Sequence, residues 1–393
     1  MLIAHLADLH LGYRAYHRLV PGGVNVRERD VARAFRSALD QIIELQPRLV
    51  VVAGDVFHSV RPSNSAIADA FHQFARLSTR LPDAQIVIVG GDHDTPRSVE
   101  SGSILRLFKE IPRVTVVDQR AREVQYPDLD LTVMAVSHTG VLENMLLKPS
   151  KPAATNVLVL HGSYDQEVLR TFHDYSGAFF DLADLHAEAW DYVALGHYHD
   201  FAQLRDNVCY AGAIEYTSNN IWREEQPKGF AVFDTVTGAA THQPTETRVV
   251  LNLKPISNAN QHSAEGLNAE LRKRVESVKG GIEDKIVRLV IFDLPRELGR
   301  ELDHKYIRDC KARALHFQID ARRPATTTVV AGERGRYHTL EEELEHFVLH
   351  QWHPSTKEID RARVLGLAKQ YLHEAGMAEA NEINALGDQQ ESL

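Results

Sequence analysis

Five stretches of the chain are apolar almost without interruption: LIAHLA from Leu2, LVVVA from Leu49, IVIVG from Ile86, VLVL from Val157 and YVAL from Tyr192. Runs of about four to eight such residues read as strands buried on both faces. Other segments have helical spacing. Between Arg27 and Leu45 the apolar positions are Val31, Ala34, Phe35, Ala38, Leu39, Ile42 and Ile43, and Pro47 follows as a stop. Ser63 to Leu81 repeats the pattern through Ile67, Ala70, Phe71, Phe74, Ala75 and Leu77, with Ser63 or Ser65 as cap. Strand and helix in alternation predict an α/β sheet. Shorter strands are expected at Val114–Val117, Leu131–Val136, Val208–Ala211 and Gly229–Phe233, in a second, partly antiparallel sheet packed on the first.

Thr237 to about Val249 is poor in apolar residues and reads as a crossing between domains. A smaller α/β unit follows, with helices at Leu267–Val278 and Leu302–Leu315 and strands at Lys285–Phe292 and Phe317–Ala321. Two helices, Leu340–Leu349 and Ile359–Leu372, flank Trp352-His-Pro354, and the chain is polar from about Gly376. The expected division is therefore 1–240, 250–325, a linker at 326–338, C-terminal helices at 339–375 and a flexible tail at 376–393.

Each of the five long runs leads into a short polar motif. These are Asp8-Leu-His10, Gly54-Asp55-Val-Phe-His58, Gly91-Asp92-His93-Asp94, His161-Gly162 and Gly196-His197-Tyr-His199. Ligands of open α/β sheets bind beyond the carboxyl ends of the strands. If these strands share one sheet, carboxylates and imidazoles gather at one edge. That donor set suits paired divalent cations. Imidazole favours manganese, iron or zinc over magnesium or calcium. Asp8 and His10 are spaced to reach one ion where the chain turns, as are His197 and His199. Asp55, directly after a buried strand, is placed to bridge two ions. Such a pair polarises phosphate and acidifies water. His93 is placed to contact the phosphate or protonate the leaving oxygen, with Asp94 orienting it. Each motif alone is common in turns; the five together, each behind a strand, carry the argument.

Composition narrows the class. The 393 residues carry a net charge of −10, which disfavours a generic nucleic-acid coat but allows a nucleic-acid enzyme. Two cysteines, Cys209 and Cys310, imply no disulfide framework and make a reducing cytoplasm the expected compartment. No run reaches the roughly 18 apolar residues of a membrane span.

Together, DLH, GDVFH, GDHD, LHG and GHYH resemble the calcineurin-like metallophosphoesterases. DLHLG at Asp8–Gly12, RERD…AF from Arg27, YAGAIEYTS at Tyr210–Ser218 and EDKIVRLVIFDLP at Glu283–Pro295 narrow the resemblance to the SbcD-type DNA repair exonuclease subunit, relative of the meiotic recombination nuclease. It covers roughly residues 1–320 and implies a four-layered α/β/β/α sandwich, followed by an α/β capping domain and C-terminal helices. It also implies a manganese-dependent DNA exonuclease or endonuclease. Asp8, His10 and His199 would hold one ion, and Asp92, His161 and His197 the other. Asp55 would bridge them, His93 would act on the phosphate, and His58 would help position it. Fe2+, Zn2+ and Mg2+ are the alternatives to Mn2+. The implied partners are DNA, an SMC-like ATPase of SbcC type docked on the C-terminal helices, and a second copy in a homodimer.

The family normally has Asn where this chain has Asp92. Two divalent ions, three carboxylates and a hydroxide balance to zero, whereas Asn leaves one positive charge. Tighter metal retention and weaker attraction for a phosphodiester follow. Simple replacement of one oxygen ligand by another is the alternative.

Other signals are weaker. His346, His350 and His353 recur at near-helical spacing, as a metal site or a solvated face. Phe347, Val348 and Trp352 suggest an apolar stripe, packed on this chain or on a partner helix. Arg322, Arg323, Arg334 and Arg336 suit a phosphate backbone or a solvated linker equally. Two rival readings of function are a phosphodiesterase or phosphatase for small substrates, and a weakly active scaffold subunit.

Overall fold

The computed structural model describes residues 1–96, 102–141, 147–150, 152–164, 179–218, 220–224, 226–324, 340–352 and 360–372, save the side chains of 342, 343, 350 and 351. The expected linker at 326–338, the tail, His353 and Pro354 lie outside these, as does the side chain of His350. The chain divides into two units at Val249/Val250.

In the first unit the strands are β1 (Leu2–Leu6), β2 (Leu49–Ala53), β3 (Gln85–Val89), β4 (Val114–Val117), β5 (Arg122–Tyr126), β6 (Leu131–Val136) and β7 (Thr155–His161). They continue with β8 (Ser163–Tyr164), β9 (Phe179–Phe180), β10 (Tyr192–Gly196), β11 (Ala202–Arg205), β12 (Val208–Tyr210), β13 (Gly229–Asp234) and β14 (Ala239–Pro244). The helices are α1 (Val26–Leu45), α2 (Asn64–Arg80) and the short α3 (His138–Val141). Asn25 caps α1 through Arg27 N, and Ser63, not Ser65, caps α2 through Ala66 N.

One six-stranded sheet has the order β14-β13-β1-β2-β3-β4 and a second has β11-β12-β10-β7-β6-β5. The five motif-bearing strands therefore do not share a sheet. β1, β2 and β3 belong to the first, β7 and β10 to the second. β4 and β13 join the first sheet, not the second as expected. The supposed domain crossing contains β14, an edge strand paired antiparallel with β13.

Alternating side chains sort into layers. Ala4, Leu6, Val50, Val52, Ile86 and Ile88 face α1 and α2, where Phe35 and Phe74 pack with ring centroids 5.3 Å apart. Ile3, Val51, Val87, Val133, Val159 and Ala194 fill the space between the sheets. Leu158, Leu160, Val193 and Leu195 lie on the far face of the second sheet, under Leu185 and Trp190. A buried polar link crosses the inter-sheet layer: His5 Nδ1 to Tyr192 OH at 2.8 Å, and Tyr192 OH to Cys209 Sγ at 2.8 Å. Burial holds His5 down to about 3 against a smaller upward pull from the Leu195 backbone, so the ring is neutral at pH 7.

The second unit contains a three-stranded parallel sheet, β15 (Val250–Ile256), β16 (Ile286–Ile291) and β17 (His316–Ala321), in that order. The helices α4 (Ala264–Glu276), α5 (Arg296–Arg300) and α6 (His304–Arg313) connect its strands, and Leu267, Leu271, Val275, Ile307 and Cys310 share one core with Val287, Leu289, Ile291 and Phe317. Beyond it are α7 (Leu340–His346), a π turn at Phe347–Gln351 and a helix over 361–372. Among the described residues no helix is long and apolar enough to cross a membrane.

Candidate metal centre

The strand ends of both sheets meet in the first unit. The loops after β1 and β2 run side by side, joined by Asp8 N→Gly54 O (3.1 Å), His10 N→Asp55 O (2.9 Å) and Leu11 N→Val56 O (2.9 Å). These bonds hold Asp8, His10 and Asp55 in the left-handed region, at φ 50°, 47° and 53°. Such residues cluster where a scaffold over-determines the backbone. Gly54, at φ 90°, leaves room that a Cβ would take, since it would lie 2.2 Å from His161 Nδ1. A Cβ on Gly91 would sit 2.0 Å from Asp55 Oδ1.

All seven residues expected to bind metal are brought together. Within 4.8 Å in each case, ligand atoms converge from Asp8, His10 and His199; from Asp92, His161 and His197; and from Asp8, Asp55 and His161. Asp55 joins the two ends, its Oδ2 3.8 Å from His10 Nε2 and 3.6 Å from His161 Nε2. Asp8 Oδ2 accepts from His197 N at 3.0 Å, while its Oδ1 is buried without a hydrogen-bond partner. His10 Nε2 and His199 Nε2 face each other at 3.0 Å. An orphaned carboxylate oxygen beside converging imidazole nitrogens is a donor set that cations satisfy, and the residues fit a divalent pair.

Outer contacts set which ring nitrogen faces inward. His161 Nδ1 donates to Ala53 O at 2.7 Å, leaving Nε2 toward Asp92 Oδ1 at 2.9 Å. His93 Nδ1 donates to His58 O at 2.8 Å, so its Nε2 is the free nitrogen, 3.9 Å from Asp92 Oδ2. His58 stacks on His93 with centroids 5.2 Å apart, and its Nδ1 lies 3.4 Å from His10 Nδ1. Asp94 differs from expectation. Its carboxylate accepts from Val56 N and Phe57 N, both at 2.8 Å, and from Gly91 N at 3.4 Å. It anchors the Asp55 loop rather than the His93 ring, because backbone amides just past the neighbouring strand β2 reach it.

The electrostatics are those of crowded carboxylates. Burial pushes Asp55 well above the usual range; His161 opposes this, and Asp92, Asp94 and Asp8 add to it. Burial would lower His161, but Asp55, Asp92 and Asp8 raise it to about 10. Burial also works against an ionised Asp92, yet the rings of His161 and His197 hold it well below the ordinary carboxylate range. Positive charge is what this cluster lacks, and protons or cations can supply it.

Residues without a motif also line the site. His138 stands edge-on to His161 with centroids 6.3 Å apart, and burial, then His161, lowers it to about 4. Glu224 Oε1 lies 3.7 Å from His199 Nδ1, and Lys228 Nζ donates to His199 O at 2.8 Å. The flanking RERD and YAGAIEYTS stretches meet in a buried network: Arg27 reaches Asp30 at 2.9 Å, Glu215 at 3.0 Å and Tyr216 O at 2.7 Å. Arg248 Nε completes it on Asp30 Oδ2 at 2.9 Å.

The calcineurin-like phosphoesterase family profile matches residues 1–270, and the chain belongs to that family. Among its relatives is the DNA double-strand break repair protein Mre11 of Methanocaldococcus jannaschii, 29% identical over 246 residues, covering 60% of this chain and 62% of that one. The Mre11 of Methanococcus maripaludis is 24% identical over 339 residues, covering 78% and 87% respectively. That of Thermoplasma acidophilum is 27% identical over 247 residues, at 60% and 62%. The chain thus spans about three fifths of the length of two of these relatives. Among solved structures, the Pseudomonas putida nuclease MPE matches 58% of this chain and 82% of its own at 16% identity, with a TM-score of 0.24.

Proposed function

We propose that the chain is a metal-dependent DNA nuclease that hydrolyses phosphodiesters, the nuclease subunit of an SbcCD-like end-processing complex. The observation that carries this reading is the joining of two three-ligand groups through Asp55. Names of relatives support the substrate, since they are DNA double-strand break repair proteins. Asp8, His10 and His199 would hold one ion, and Asp92, His161 and His197 the other, with Asp55 shared. Bound there, a divalent pair, Mn2+ in our reading, polarises the phosphoryl group and acidifies water.

The protein side chains supply the rest. His93 Nε2, left over by the bond of Nδ1 to His58 O, faces the cradle; as the imidazolium the ring would give its Nε2 proton to the leaving oxygen and be left as the neutral Nδ1–H tautomer. His58 braces His93 through its carbonyl and stacked ring. Asp94 holds the Asp55 loop at the depth that sharing requires.

DNA, an SMC-like ATPase and a second copy are the partners in this reading. The ATPase would dock on the C-terminal helices, where Leu340, Phe347, Leu367 and Tyr371 are exposed apolar residues. Cys209 and Cys310 are both free and buried, in keeping with a reducing cytoplasm. The test is digestion of end-labelled single- and double-stranded DNA with and without Mn2+. Manganese-dependent cleavage is expected. Hydrolysis of a small diester without DNA cleavage would favour the small-substrate reading, and bound metal without either activity the scaffold reading.

A further inference from the structure

His199 offers Nε2 to the cradle beside Asp8 and His10, so its Nδ1 is the outer nitrogen. That Nδ1 is buried and has no hydrogen-bond partner. Opposite it, 3.7 Å away, is Glu224 Oε1, also buried and without one. A buried donor and a buried acceptor left unpaired are costly, and here each is within one small adjustment of the other. The other oxygen of Glu224 pairs with Lys228 Nζ at 2.8 Å. Lys228, itself fully buried, donates from the same Nζ to His199 O at 2.8 Å and to Asp200 Oδ1 at 2.5 Å. One ion pair therefore grips His199 at both its ring and its backbone.

We propose that Glu224, held by Lys228, is a positioning residue that fixes the Nδ1–H tautomer of His199 and so presents Nε2 as the metal-binding nitrogen. A neutral imidazole has one donor and one acceptor nitrogen, and the hydrogen bond on one decides the role of the other. For His161 and His93 a backbone carbonyl performs that task. At His199 no carbonyl bonds Nδ1; the carboxylate stands opposite it instead and adds negative charge behind the ring, which strengthens the ligand. The contact closes to a hydrogen bond when Nε2 engages a cation. Glu224 would act through the ring, as a carboxylate behind the ligand and not as a ligand itself.

This inference rests on the metal-cradle reading. The test is calorimetric titration of Mn2+ into the metal-stripped full chain. Glu224→Ala is expected to weaken one of the two binding steps about 10- to 100-fold and leave the other unchanged. Glu224→Gln, whose carbonyl still accepts from Nδ1 but carries no charge, should fall between. In a His199→Ala background, Glu224→Ala should cause no further loss, since its effect passes through the ring. Thermal unfolding of the metal-free variants checks that each is folded, and the Gln variant serves if the Ala variant is not. Wild-type affinity for both ions in folded Glu224→Ala or, failing it, Glu224→Gln overturns the inference alone. So does an equal loss with and without His199. A wild-type chain that takes up no Mn2+ overturns the cradle reading as well.

Discussion

The two ends of the cradle have the same ligand count and differ in how far the ligands satisfy one another. At the Asp92 end the ligands satisfy one another: Asp92 Oδ1 lies 2.9 Å from His161 Nε2 and 3.3 Å from His197 Nδ1. At the Asp8 end they do so only in part: His10 Nε2 and His199 Nε2 share one hydrogen bond at 3.0 Å, and Asp8 Oδ1 is unpaired. Burial and like-charged neighbours hold His10 well below its ordinary value, so it brings no charge of its own. Burial would lower His199, but Glu224 and Asp8 raise it, so this end too can hold a proton; what it leaves open is one buried carboxylate oxygen that a cation would satisfy. Having the same types of ligand does not make two sites equivalent, because the contacts each ligand makes without metal set what the metal must displace.

The strongest way to break this comparison is to remove what the ends share. Asp55→Asn should abolish DNA cleavage, at least about 1,000-fold, and reduce metal content at both ends, measured by elemental analysis beside the digestion assay. Retention of both ions would show that the ends are independent. Next, His93→Ala should cut turnover by about 100- to 10,000-fold with metal content unchanged. Full cleavage by that variant would remove His93 from the mechanism. Asp92→Asn sharpens the contrast between the ends. It should weaken Mn2+ binding at that end on the order of tenfold and leave the Asp8 end alone. Unchanged content and turnover would mean that Asp92 acts merely as an oxygen ligand.

The smallest effect separates site from scaffold. His5 is held to about 3 when folded and returns to about 6.5 when unfolded. Its folded value is depressed, so its contribution to stability is complete above pH 6.5 and is lost as pH falls toward 3. Acidification through that window should cost up to about 1.4 kcal/mol per pH unit from this residue. Urea midpoints of wild type and His5→Gln, taken without metal, should show a shallower pH slope in the variant. An identical slope would reject the buried neutral His5.

The strands and motifs were readable in the sequence because local pattern encodes them. Val50, Val51 and Val52 announce a strand buried on both faces whichever sheet receives it. Sheet membership was not readable for the same reason. A strand with two apolar faces looks alike in either sheet, and pairing is non-local, so the five motif-bearing strands, expected to share one sheet, divide between two. β14 was missed because AATHQP is an edge strand with little to bury. Asp94 was found but given the wrong partner: proximity in sequence suggested His93, whereas the carboxylate turns back to Val56 and Phe57. Glu224, Lys228 and His138 carried no signal, being single polar residues that only the folded chain brings to the site.

The left-handed backbone at Asp8, His10 and Asp55 sets main chain against side chain. That conformation burdens an ordinary side chain by roughly 1–2 kcal/mol, and glycine escapes the burden while adding about 0.5–1 kcal/mol of its own. On the backbone alone the balance tips toward glycine by up to about 1 kcal/mol. These positions therefore keep their side chains against the preference of their own main chain, and what glycine would forfeit is held by the side chains: the bonds from His197 N to Asp8 and from His93 N to Asp55, and the ligand atoms themselves.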